Sequence, residues 1–226
     1  STIDAATVGT QNDDGEICID QWRLLSDGND IIDCHSVTST APTGSLHCFE
    51  ADIETVDKKF GIVQFIEQKN CASLFNETCT LSFQAKVNDA SALDNIRCAI
   101  ISWGGSVTAD APTKDIVSSW NDSSTNPTLV SDMTYENTPA NLSVGTSFQK
   151  FSVTATIDTS SVKNIGVFIF SNTTSGLTAG TDKLHIGQVQ LEKGSTPTSF
   201  HFEPYTDYLQ RCQRYFQGYC GNTGSN

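Results

Sequence analysis

Thr80–Val87 reads TLSFQAKV, and its alternation puts Leu81, Phe83, Ala85 and Val87 on one face and Thr80, Ser82, Gln84 and Lys86 on the other. Strict period-two patterning with β-branched and aromatic residues is the mark of a half-buried strand. The same reading recurs outward from it. Phe148–Ile157 (FQKFSVTATI) sets Phe151, Val153, Ala155 and Ile157 on one side, and Phe60–Glu67 (FGIVQFIE) is a further strand. Ile96–Trp103 (IRCAIISW) and Ile165–Phe170 (IGVFIF) are almost continuously apolar, as expected of central strands covered on both faces. Leu184–Leu191 (LHIGQVQL) sets Leu184, Ile186, Gln188 and Gln190 opposite His185, Gly187, Val189 and Leu191, and Cys48–Ile53 is a weaker strand. Near the N-terminus, Ile17–Leu25 and Ile31–Ser36 flank Ser26-Asp27-Gly28-Asn29-Asp30, where Asp-Gly predicts a hairpin turn. Strands joined by short turns define an all-β, antiparallel sandwich.

Composition agrees. The 226 residues suffice for a real core, and the polar content is Ser, Thr, Asn, Gln and Gly rather than the Ala, Glu and Lys of helical bundles. The 26 acidic and 13 basic side chains give a formal charge of −13. That charge argues against nucleic-acid binding and against anionic membrane surfaces, because phosphate contact needs clustered Lys and Arg. No run approaches the ~20 apolar residues of a membrane helix. The start is polar and shows no leader, as in a chain trimmed of its initiator Met or of a signal peptide.

Two segments depart from the strand pattern. Gly104–Thr146 is a polar connection, longer than an ordinary loop and so either structured or functional. Trp103, Trp120 and Tyr135 lie in or beside it and are the candidate glycan platform, since an apolar ring face stacks on a pyranose while amides and carboxylates take its hydroxyls. The other reading of these rings is that they pin the loop to the core. From Pro204 the chain reads PYTDYLQRCQRYFQGYCG, with Tyr208, Leu209, Cys212, Tyr215 and Phe216 in an aromatic stripe at helical spacing. It is expected to be a short helical or extended segment that packs on the sandwich or on a neighbouring subunit. The domain plan is a polar segment over 1–16, a sandwich over 17–203 and this aromatic segment over 204–226.

Signals for catalysis are weak. The four histidines (His35, His47, His185, His201) show no metal-ligand spacing, and there is no GxSxG, P-loop or GxGxxG. Asp52, Glu54, Glu67, Asp110, Asp115, Glu136 and Glu192 are carboxylates from which a glycosidase pair would be drawn, but sequence places no two across a cleft. Asp27-Gly28-Asn29-Asp30 has calcium-ligand residue types without the rest of an EF-hand loop, and is equally a plain turn. The eight cysteines lack CxxC spacing and several fall in apolar runs, so they read mainly as free buried thiols; Cys71–Cys79 is the bridge to test.

One series has a specific resemblance. Gly187-Gln-Val-Gln-Leu-Glu-Lys-Gly194, Ser195-Thr-Pro-Thr-Ser-Phe200, Phe202-Glu-Pro-Tyr205 and Leu209-Gln-Arg-Cys-Gln-Arg-Tyr-Phe216 resemble the C-terminal signature of bacteriophage tail-fibre and virion appendage proteins. Looser matches run in order upstream: Asp20-Gln-Trp-Arg23, Val63-Gln-Phe-Ile-Glu67, Thr80–Lys86 and Phe148–Thr154. The resemblance spans most of the chain, from Asp20 to Phe216. It implies a jelly-roll β-sandwich like those of carbohydrate-binding modules, carried on a tail fibre or capsid, commonly as a homotrimer, with host-surface glycan or receptor binding and no catalysis. It also implies other virion proteins as partners and folding in the bacterial cytoplasm. The cysteine count departs from the pattern, and so does the length, which leaves no room for a shaft and implies a small decoration or a piece of a longer fibre. The final strand lacks an Asp pair for a structural calcium ion. The rival expectations are a secreted carbohydrate-binding module of a glycoside hydrolase, with which four sequons at Asn76, Asn121, Asn141 and Asn172 agree, and a polysaccharide depolymerase.

Overall fold

The alternating stretches become strands because each can bury one row of side chains while its backbone pairs on both edges. The computed structural model describes residues 12–19, 21–105, 108–109, 115–122 and 125–202. In chain order the strands are β1 (Ile17–Ile19), β2 (Trp22–Ser26), β3 (Ile32–Val37), β4 (Cys48–Ile53), β5 (Phe60–Ile66), β6 (Thr78–Val87) and β7 (Ile96–Trp103). They continue as β8 (Val117–Ser119), β9 (Thr128–Leu129), β10 (Met133–Tyr135), β11 (Gln149–Thr156), β12 (Asn164–Ser171) and β13 (Lys183–Lys193). One helical turn, Gln68–Cys71, follows β5.

Two antiparallel sheets face each other as a jelly-roll sandwich. One has the order β1-β2-β5-β12-β7-β10, the other β11-β6-β13-β4-β3, and β8-β9 form a separate ribbon. The inward row of β6 (Leu81, Phe83, Ala85, Val87) meets Phe49, Ala51 and Ile53 of β4 and the inward residues of β5, β7 and β12 in the main core. At ~25 cal/mol per Å², burial of such rows is the main force holding the sheets together.

The six-stranded sheet is apolar on its other face too. Leu25, Val63, Ala99, Ile101, Phe168 and Phe170 point away from the main core and form a second one with Ile116, Val117, Trp120 and Met133 from the long connection. This is why β7 and β12 lack alternation: both faces are covered. Phe168 and Phe170 stack at 4.6 Å over β5. Gly61 of β5 is required there, since a Cβ would lie 2.6 Å from the Phe170 Cβ.

Two sequence expectations are corrected. Ile17–Leu25 and Ile31–Ser36 are not a hairpin. β2 pairs with β1 and β5 in one sheet, and β3 pairs with β4 in the other. The Asp27–Asp30 turn, with positive φ at Gly28 and Asp30, carries the chain from sheet to sheet. An Asp-Gly signal encodes the reversal, not the partner. The second correction concerns β13. Its register shifts between Gly187 and Gln190, with Gln188 at φ 53°. Leu184 and Ile186 before the bulge and Val189 and Leu191 after it therefore face the same core, although they differ in parity.

The C-terminal stripe of Tyr208, Leu209, Cys212, Tyr215 and Phe216 lies outside the described residues, as does Asp20.

Candidate functional site

Beyond the bulge, β13 no longer pairs with β4, and the outer face of the five-stranded sheet acquires relief. Pro42 of the turn before β4 packs on Gly187, where a Cβ would approach the proline ring to 2.9 Å. On the other side, the chain after β13 folds back across the sheet. It is fastened by Glu192, whose carboxylate accepts the Thr198 amide and hydroxyl, each at 2.8 Å, and by Gln190, whose Oε1 accepts the His201 amide at 3.1 Å. Burial would raise the Glu192 carboxyl, but these hydrogen bonds outweigh it and hold the group below the usual carboxylate range. The Lys150 ammonium of β11 donates to the Thr198 carbonyl. Under this strap the outward hydroxyls Thr80 and Ser82 are buried, although they belong to the polar row.

Between the strap and the Pro42 turn is a cavity of about 300 Å³, at the small end of ligand sites. Ser82 and Gln84 of β6, Lys150 and Gln188 form its polar part; Thr43, Phe200 and Phe202 form its rim. Gln84 Nε2 donates to Gln188 Oε1 at 2.6 Å, and Gln188 Nε2 donates to the Thr43 carbonyl and to Ser45 Oγ, each at 3.0 Å. The left-handed backbone at Gln188 is costly for a side-chain-bearing residue, and here it aims an amide into the cleft floor. Phe200 and Phe202 meet edge to face at 4.9 Å, and Phe202 is 52 % exposed. The same pair walls a second hollow of about 450 Å³ beside Gln190 and His201.

This arrangement has the chemistry for a polyol: aromatic faces for C–H surfaces, amides and hydroxyls for hydroxyl groups, and one ammonium. The described lining of the cavity contains no carboxylate. Glu192, beside it, is committed to Thr198 and to Gln190 Nε2 at 3.0 Å. A two-carboxylate hydrolytic pair is therefore not assembled by the described residues at this cleft.

The residues singled out from sequence lie elsewhere. Trp103 is 6 % exposed and Trp120 9 %, both in the second core, with the Trp120 ring 6.3 Å from that of Phe168. Tyr135 packs against the same cluster and its hydroxyl donates to the Pro127 carbonyl at 2.9 Å; burial pushes its phenol upward. The rings are used to cover the apolar outer face of the six-stranded sheet, so they do not present a stacking platform. The long connection is clamped from below by Lys59. Its ammonium donates to the carbonyls of Trp120 (2.8 Å), Asp122 (2.5 Å) and Thr125 (3.4 Å).

Of the metal expectations, Asp27 pairs with Lys58 at 3.2 Å and Asp30 accepts from Asn12, as turn residues do. Among the described residues, His35, Glu50 and Asp52 offer ligand atoms within 4.8 Å of one another. Lys183 already sits against both carboxylates, 3.1 Å from Glu50 and 2.6 Å from Asp52, and His185 meets Glu50 at 2.7 Å. The cluster is an ion-pair network closed by the protein's own cation. Burial opposes ionisation of Glu50, but Lys183 and His185 together hold it below the usual range.

Sequence reading passed over Phe200, Phe202, Gln84, Gln188 and Lys150. The available signal was the Phe-x-Phe pair in a polar stretch after the last strand, together with the parity break in LHIGQVQL.

No protein-family model matches the chain, and no curated protein matches it. Among solved structures it is similar to the enzymatically active domain of bacteriophage CBA120 tailspike protein 4 (14 % identity, TM-score 0.46). That alignment covers 76 % of this chain and 19 % of the tailspike, so the chain spans about a fifth of it. It is also similar to a xylan-binding domain of carbohydrate-binding module family 22 (11 % identity, TM-score 0.46, covering 84 % and 97 %). A family 16 carbohydrate-binding module is similar at 12 % identity and TM-score 0.42, covering 72 % and 85 %. These likenesses concern the jelly-roll fold.

Proposed function

We propose that this protein is a non-enzymatic glycan-binding module of a bacteriophage virion, carried on a tail fibre or the capsid and assembled as a homotrimer. The observation that carries glycan binding is the edge-to-face pair of half-buried Phe200 and exposed Phe202 beside a cavity lined by Gln84, Gln188, Ser82 and Lys150. The strap bearing the pair is fixed to β13 and β11 before any ligand arrives, so little ordering entropy opposes binding. The virion reading is supported by the ordered residue series from Asp20 to Phe216. It is also supported by the burial of the six described cysteines, which serve as small apolar side chains and need no oxidising compartment. The cleft by itself equally suits a secreted carbohydrate-binding module.

Gel retardation on a panel of bacterial surface and plant polysaccharides tests the binding. The wild type should be retarded by at least one of them, and Phe202→Ala should lose at least tenfold in affinity while keeping its fold. Absence of retardation across the panel, or equal retardation of the variant, would remove the cleft. Native mass then separates a trimer from the monomer expected of a secreted module.

A further inference from the structure

Two of the buried thiols, Cys18 and Cys34, sit on edge strands of opposite sheets. β1 is the edge of the six-stranded sheet and β3 the edge of the five-stranded sheet, and the two edges touch. Cys18 of β1 is 2 % exposed and Cys34 of β3 is 1 % exposed, and both side chains enter the main core where the two edges meet. The other described cysteines differ. Cys48 donates to the Thr40 carbonyl at 2.5 Å, Cys71 to Ile66 at 3.5 Å and Cys79 to Glu77 at 3.8 Å. Cys98 is buried in the main core. Cys71 and Cys79, the pair favoured by their sequence spacing, thus each point to a carbonyl.

We infer that Cys18 and Cys34 are a disulfide-forming pair that staples the two sheets along this edge when the chain folds in the presence of a small-molecule disulfide. With oxidised glutathione, the Cys18 thiolate attacks one glutathione sulfur and breaks its S–S bond. This gives a protein–glutathione mixed disulfide and one glutathione thiolate. The Cys34 thiolate then attacks the Cys18 sulfur and expels the second glutathione thiolate. The two protons lost from the protein thiols are taken up by the two glutathione thiolates, and two electrons pass from protein to glutathione. In the folded protein both sulfurs are shielded, and the neighbouring Cys18 thiol together with burial pushes the Cys34 thiol upward. The exchange therefore belongs to folding, before the edge closes. A chain folded in a reducing compartment keeps the thiols, and one folded in an oxidising compartment carries the staple. The effect is independent of the glycan cleft, which lies on the outer face.

The test is to refold the full chain in a glutathione redox buffer and, in parallel, in dithiothreitol. Free thiols are then alkylated and non-reduced peptides mapped by mass spectrometry. The oxidised sample should contain a Cys18–Cys34 linked peptide and melt roughly 6–12 °C higher than the reduced one. Cys34→Val should lose both the peptide and the shift, whereas Cys98→Val should retain both. Linkage of other cysteines instead, or oxidation with no Cys18–Cys34 peptide, overturns the inference. So does a linked peptide without a rise in melting temperature, because the bond would then be strained rather than stapling. The wild-type map decides even if Cys34→Val fails to fold.

Discussion

Lys59→Met removes one ammonium and leaves a side chain of similar length in the same channel. Lys59 is 1 % exposed, and burial, reinforced by the Arg97 guanidinium, holds its amine below the ordinary lysine range. In the variant the Trp120 and Asp122 carbonyls lose their donor at 2.8 and 2.5 Å. The Thr125 carbonyl, at 3.4 Å, loses less, because Asn172 Nδ2 also donates to it at 3.3 Å. A buried acceptor left without a partner costs about 1–3 kcal/mol. Two such losses, offset in part by no longer burying a charge, give a net destabilisation of about 2–3 kcal/mol. For a chain of this size that lowers the melting temperature by roughly 4–12 °C. Urea denaturation followed by tryptophan emission reads it directly, since Trp120 lies in the clamped segment. Lys58→Met is the control: its partner Asp27 is a half-exposed surface pair, worth about 0–1 kcal/mol. If Lys59→Met matched the control, the clamp would be incidental to how the long connection is held.

Other outcomes follow from the same packing. Trp120→Ala should destabilise the fold by about 3–5 kcal/mol in thermal denaturation, with glycan affinity preserved below the transition, because the ring roofs the second core. Gly61→Ala should lower the urea midpoint, because its Cβ meets the Phe170 Cβ and the Ile169 carbonyl at 2.6 and 2.8 Å. Acid should weaken the fold in two stages. Burial holds His185 below its ordinary value near 6.5, so stability is retained above that pH and declines as pH falls toward the folded value. Glu50, held below 4.5, adds a second decline as pH falls further. A urea midpoint that stays level from pH 7 to 3 would contradict both.

The sandwich was legible in sequence because period two is imposed by the pleat, and TLSFQAKV keeps it over the whole of β6. The continuous runs of β7 and β12 also correctly marked strands covered twice. Sequence did not say that the second cover would be the long connection itself. That depends on Ile116, Val117, Trp120 and Met133 meeting one sheet face from distant positions. For the same reason, sequence leaves two readings open for Trp103 and Trp120, a platform or a pin on the core, and the structure places both rings in the second core. The Asp-Gly turn misled because strand pairing is settled by long-range register and not by the reversal. The cleft was hidden for a different reason. Gln84 and Lys150 look like ordinary outward residues of alternating strands, and only the bulge at Gln188 and the returning strap turn that flat polar face into a concave one.

Glycan binding at the strap cleft is tested most directly by a backbone amide NMR titration with an oligosaccharide from a retarding polysaccharide. The largest shifts should fall on Gln84, Lys150, Gln188 and Phe200–Phe202, with Val117–Trp120 unmoved. Saturable shifts centred on the connection between β7 and β11, with the strap residues silent, would contradict it.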